Sequence, residues 1–205
     1  MRKTLILIIA LVSIFAVVAQ YVLMLNNNTF GIPETTVRFF SYFTILSNSL
    51  VAFYFSRLFI KSVFNPLPPK NNFGILTAIT VYITIVGLVY QVLLRQIWSP
   101  TGLQKVVDEL LHSVIPALVI VYWFINRTGH RLKYSDLIPW LAFPLFYLIF
   151  VSIRGNFSGF YPYPFLDIKT IGFNQVLINS LSMTGLFVIV SAIFIWISKK
   201  FKTLT

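Results

Sequence analysis

Six stretches of the chain are each long and apolar enough to cross the ~30 Å hydrocarbon core of a bilayer as one helix of about 20 residues. They lie near 4–25, 38–58, 73–95, 106–126, 135–153 and 174–198. Backbone amides in hydrocarbon must be satisfied inside their own segment, so runs of this length predict helices. The fold class expected is therefore all-α: a polytopic membrane protein with six transmembrane helices and both termini cytoplasmic. The separators "NNNTFGIPE", "NPLPPKNN", "WSPTG", "NRTGHRLKYSD" and "GNFSGFYPYPFLD" concentrate Pro, Gly and Asn, as connections do. None is long enough for a second domain, so residues 1–205 are expected to form a single transmembrane domain. The first run follows Met1, Arg2 and Lys3 as a signal peptide would, but it exceeds a typical h-region and "AVVAQ" is a weak cleavage site. It is read as an uncleaved helix.

Composition agrees. Hydrophobic residues make up 58%, charged residues 10%, and the mean hydropathy is +0.85, values that belong to integral membrane proteins. A net charge of +11 would suggest nucleic acid in a soluble chain. Here the basic residues stand at the ends of apolar runs, where they set topology and meet anionic lipid, so no nucleic-acid partner is expected. With the N-terminus inside, eleven of the 16 basic residues fall on the cytoplasmic side: Arg2, Lys3, Arg57, Lys61, Lys70, Arg127, Arg131, Lys133, Lys199, Lys200 and Lys202. Only Arg38, Arg95, Lys105, Arg154 and Lys169 fall outside. The acids distribute the other way, with Glu34, Asp108, Glu109 and Asp167 outside and Asp136 inside. Lacking cysteine, the chain has no disulfide framework, thiol nucleophile or cysteine-based metal site.

Depth singles out a polar layer. His112 is expected about six residues, roughly 9 Å, below the outer boundary. Thr44, Gln91, Arg95 and Asn179 fall near the same level, so five polar groups from four helices share one stratum. Ser41, Thr44 and Asn48 recur at helical spacing, as do Thr77, Thr80, Thr84, Gly87, Gln91 and Arg95. Such stripes face a bundle interior rather than lipid. Hydroxyl-to-backbone bonding for packing accounts well for Thr77, Thr80 and Thr84. His112 is different, because an ionisable group at membrane depth marks a site or pathway by default. Asp108, one helical turn earlier, either fixes the imidazole tautomer or, with Glu109, complements the macrodipole of a helix first turn. Both readings stand at this stage.

A hydroxyl beside an imidazole is the minimum for nucleophilic acyl transfer. Thr44 and His112 are the candidate catalytic pair, Asn48, Gln91 and Asn179 are candidate oxyanion donors, and Arg95 or Arg154 is placed to hold an anionic head group. A bis-histidine haem site lacks its second membrane histidine, since His130 falls in an inside loop. Zinc lacks ligands too, so neither metal nor cofactor is expected.

These residues carry a resemblance. "YFTILSN" (42–48), "LLHSVIP" (110–116) and "YPYPFLD" (161–167) resemble the three signature segments of the androgen-induced family of membrane hydrolases, which includes the androgen-dependent TFPI-regulating protein. "WSPTGLQKVVDELLHSVIP" followed by "IRGNFSGFYPYPFLD" resembles more closely a group of bacterial six-helix integral membrane proteins related to that family. The resemblance covers about residues 38 to 198, and the first helix matches in character only. It implies hydrolysis of fatty acid esters of hydroxy fatty acids by a threonine and a histidine on separate helices. The family threonine falls on Thr44 and its histidine, ahead of a proline, on His112. The asparagine departs: in the family it stands one residue nearer the threonine than Asn48 does here.

The function expected is intramembrane hydrolysis of a lipid ester taken sideways from the bilayer of a bacterial inner membrane, with the rings of "GFYPYPF" either forming an interfacial belt or covering the access path. The alternative is a non-catalytic lipid-binding or transport protein using the same polar layer. Membrane lipids are the expected partners, and no protein partner is implied.

Overall fold

The computed structural model describes residues 2–27, 29–64, 73–127 and 132–200. Lys70, His130, Arg131 and Lys202, which entered the topology and haem arguments, lie outside the described residues. All regular structure among the described residues is helical, and six helices are long and apolar enough to cross a membrane. The chain divides into two compact units, residues 1–128 and 129–205.

In the first unit, α1 (Arg2–Asn26) carries no charge after Lys3. It buries Ile6, Ile9, Ala10, Ser13 and Ala16 at helical spacing and leaves Leu11, Ile14, Phe15 and Val18 exposed. A helix apolar on both faces suits lipid as its outer solvent. The short α2 (Ile32–Phe39) has Pro33 as its second residue, where the fixed φ suits a first turn, and Tyr21 donates to Thr36 at 2.7 Å to tie it to α1.

Next come α3 (Phe43–Phe64) and α4 (Phe73–Val89). Eight successive residues of α4, Leu76 to Ile83, are buried. A run of that length points in every direction around a helix, so α4 is the core of this unit, packed on α3 and α6. Trp123 is fully buried, stacks on Phe73 and donates to Thr77 at 2.8 Å. Thr77, Thr80 and Thr84 each donate to the carbonyl one turn back, so this part of the polar stripe serves packing.

Both remaining segments of the unit contain a π-helical turn. The first, Tyr90–Leu94, extends α4. The second, Leu110–Val114, joins α5 (Gly102–Glu109) to α6 (Ile115–Asn126) within one span. Pro116 explains the second. A proline inside a helix removes one amide donor and costs ~3 kcal/mol. Ile115 still reaches Leu110 in the i→i−5 pattern, but Pro116 has nothing to give Leu111. The Asn48 side chain supplies the missing donor at 3.3 Å. Gly87 lets α4 approach here: a Cβ on it would lie 3.1 Å from the His112 carbonyl oxygen.

The second unit holds α7 (Leu137–Ser158), α8 (Ile168–Ile171) and α9 (Phe173–Lys200), with α7 and α8 both packed on α9. Asp167 caps α8, accepting from the amides of Lys169 and Thr170 and from the Thr170 hydroxyl. Those bonds, the Thr170 hydroxyl first, hold its carboxyl below the ordinary carboxylate range.

Several expected boundaries move: the second span ends at Phe64 rather than near 58, and the fourth begins at Gly102 rather than near 106. The second span begins at Phe43 rather than near 38, because α2 ends at Phe39 and the Ser41 hydroxyl bonds back to the Val37 carbonyl at 2.6 Å. The fifth runs to Ser158 rather than 153. Gly155, read as part of a connection, is a helical glycine against which the Tyr161 ring packs. The stop is Gly159, at φ 71°, a left-handed conformation that glycine adopts without a Cβ clash.

Candidate functional site

The start of α3, the end of α5 and the two π turns bring four buried side chains into line. Thr44 is the second residue of α3, in the turn where backbone N–H groups carry partial positive charge. Its hydroxyl lies 3.4 Å from Nε2 of His112, at the long end of hydrogen-bond distance. On the other side of the imidazole, Nδ1 lies 2.9 Å from the Asp108 carbonyl oxygen and 3.2 Å from its carboxylate Oδ1. Two acceptors at Nδ1 require the proton there, which leaves the Nε2 lone pair facing Thr44. The Asp108 side chain thus meets His112, one of the two readings that the spacing left open.

The remaining oxygen of Asp108 accepts from the Tyr90 hydroxyl, and the Tyr90 ring lies flat on the imidazole, 4.0 Å between centroids and 12° between planes. Thr44 and His112 are each 9% exposed, Asp108 5% and Tyr90 3%, so the chain of contacts is nearly closed to solvent. Sequence reasoning missed Tyr90. It stands three residues after Gly87, the glycine that lies against the His112 carbonyl, a neighbourhood that only the structure reveals.

Asn48 is fully buried, and its amide donates to the carbonyls of Thr44 at 2.9 Å and Leu111 at 3.3 Å. An unpaired buried carbonyl costs about 1–3 kcal/mol, so the clamp stabilises both backbone turns beside the site. Both amide hydrogens are committed, and the atom left over is an acceptor. In this geometry Asn48 is a support for Thr44 and His112 rather than a donor to an oxyanion.

Gln91 and Arg95 are adjacent but turned outward. Arg95 pairs with Glu109 and donates to Gln91 at 2.5 Å, Gln91 donates to Ser113 at 2.9 Å, and Ser113 donates to Glu109 at 2.7 Å. The ring is closed and exposed. Sequence neighbours are shared between two faces: Tyr90, Asp108 and His112 look inward, while Gln91, Glu109 and Ser113 form the outer ring. Of the other candidates, Arg154 and Asn179 belong to the second unit. The Arg154 guanidinium lies 4.9 Å from the Phe160 ring centroid. Asn179 donates to the Phe165 carbonyl at 2.9 Å and accepts from Gln175 at 3.1 Å, pinning the "YPYPF" segment to α9. No group of three or more His, Asp or Glu side chains among the described residues could hold a metal.

Chemically, the first unit holds a hydroxyl, a base with its lone pair aimed at that hydroxyl, and a carboxylate behind the base. Compared with family models, curated proteins and solved structures, the chain matches none.

Proposed function

We propose that the protein is an intramembrane hydrolase of lipid esters, in which Thr44 is the nucleophile and His112 the general base and then acid. The single observation that carries this reading is the Thr44–His112–Asp108 alignment, with the imidazole lone pair directed at the hydroxyl. The Thr44 oxygen attacks the ester carbonyl carbon as its proton passes to Nε2. The tetrahedral intermediate collapses, Nε2 returns the proton to the departing alcohol, and an acyl-threonine remains. Water then repeats the sequence with His112 as base, releasing the acid and restoring Thr44. The partial positive charge of the α3 first turn favours the developing oxyanion.

Fatty acid esters of hydroxy fatty acids are the substrates that the resemblance in "YFTILSN" and "LLHSVIP" supports, and Arg95 is a basic residue of the same unit as the site. The distribution of basic residues supports cytoplasmic termini and a site in the outer half of a bacterial inner membrane.

The test assays purified protein, Thr44→Ala and His112→Ala on fluorogenic and branched fatty acid esters. Losing the base is expected to lower turnover at least ~100-fold, and losing the nucleophile to abolish both turnover and fluorophosphonate labelling of the peptide holding Thr44. Equal turnover by all three proteins overturns the catalytic reading and leaves the lipid-binding alternative.

A further inference from the structure

We infer that Tyr90 is a positioning residue that holds the Asp108 carboxylate at Nδ1 and the ring plane of His112, making the working unit four residues long: Thr44, His112, Asp108 and Tyr90. This rests on the hydrolase reading for its catalytic meaning, but its geometry stands independently. Three observations converge on it. Tyr90 is 3% exposed, and its hydroxyl spends its proton on the Asp108 carboxylate rather than on backbone or solvent. The same carboxylate reaches His112 through its other oxygen at 3.2 Å, so Tyr90 decides which oxygen is left for Nδ1. The ring lies on the imidazole at 4.0 Å and 12°, which excludes rotation about the ring plane. Fixing the hydroxyl and the face of one side chain on two members of the same pair over-determines their arrangement.

Both residues stand at π turns. Tyr90 begins one and His112 is the middle residue of the other. A single extra residue in a helix turns everything beyond it by about 100°, and π turns recur where a side chain is re-aimed for function. When the imidazole takes the threonine proton, the positive charge arises between a carboxylate and the electron-rich face of a phenol ring, an arrangement that favours the imidazolium. Loss of the hydroxyl frees the carboxylate to turn from Nδ1. Loss of the ring frees the imidazole to turn from Thr44.

Tyr90→Phe removes the hydroxyl and keeps the stacking; Tyr90→Leu removes both. The chain has two histidines, so a His130→Gln background leaves His112 as the sole imidazole. In that background, ¹⁵N spectra of the imidazole in lipid nanodiscs read its tautomer directly. We expect one Nδ1-protonated form in the parent, a shifted Nδ1 resonance in Tyr90→Phe as the carboxylate turns away and leaves Nδ1–H to the Asp108 main-chain carbonyl, and conformational exchange in Tyr90→Leu. Kinetically, kcat is expected to fall ~10-fold in Tyr90→Phe and ~100-fold in Tyr90→Leu with KM within about twofold, the scale of a supporting hydrogen bond behind a working group. An unchanged Nδ1 resonance in Tyr90→Phe overturns the inference. If no variant and no parent hydrolyses ester, the hydrolase reading fails and the spectra alone decide: a shifted Nδ1 resonance in Tyr90→Phe upholds the positioning role at a binding site, an unshifted one overturns it.

Discussion

At the residue scale, the site depends on which side chains have a choice of partner. His112 has none: one nitrogen is held by Asp108 from both main chain and side chain, and the other is left to Thr44. Thr44 and His112 were legible because a histidine at membrane depth is costly and a threonine at the same level offers chemistry. Tyr90 was not, because a tyrosine in an apolar run reads as packing until its hydroxyl acquires a buried carboxylate. Gly155 makes a similar case. Its Cβ position falls inside the Tyr161 ring, so Gly155→Ala is expected to destabilise the second unit by about 1–3 kcal/mol through overpacking. In a Tyr161→Ala background the same change is expected to stabilise by up to ~1 kcal/mol, because alanine is the better helix former. Thermal unfolding of the four proteins in detergent closes the cycle, and the same effect of Gly155→Ala in both backgrounds would show that the ring does not sit there.

Helices were legible as elements, but their irregularities were not. A π turn changes the hydrogen-bond pattern of five residues without altering their apolar character, so Tyr90–Leu94 and Leu110–Val114 read as ordinary helix. Pro116 hinted at the second, but the amide that stabilises it comes from Asn48, 63 residues away at Leu111. The break between α2 and α3 was hidden for a like reason, since Ser41 is buried as an inward polar residue is expected to be, and its bond back to Val37 leaves no mark in the pattern. At the other end of the chain, Asp167 holds α8 through bonds that its ionised form accepts. Its carboxyl is held below its ordinary value, so its support is complete above the ordinary carboxylate range and is lost as pH falls through the lowered value. Amide exchange at Lys169 and Thr170 is expected to speed up over that acid range once intrinsic rates are allowed for. A matching acceleration in Asp167→Ala at neutral pH confirms the cause, and protection that persists in Asp167→Ala removes it.

At the scale of the whole molecule, topology follows from charge. The chain has no cysteine, so single replacements report sidedness cleanly. With both termini inside, Ser99→Cys is expected to react with a membrane-impermeant maleimide in intact spheroplasts, and Lys133→Cys only after lysis; the reverse pattern inverts the orientation. Six apolar runs of spanning length decided the helical fold by themselves, because lipid leaves a backbone no other way to satisfy its amides here. Composition and the ends of the runs likewise placed the polar layer, since transfer into hydrocarbon penalises each such group separately and so can be read one residue at a time. What only the tertiary structure decided was pairing: that Asp108 faces the imidazole, that Tyr90 completes the line, and that Gln91 and Arg95 join an outer ring. Those outcomes turn on a rotation of about 100° within two helices and on donors contributed from distant parts of the chain, quantities that no local pattern of apolar and polar residues records.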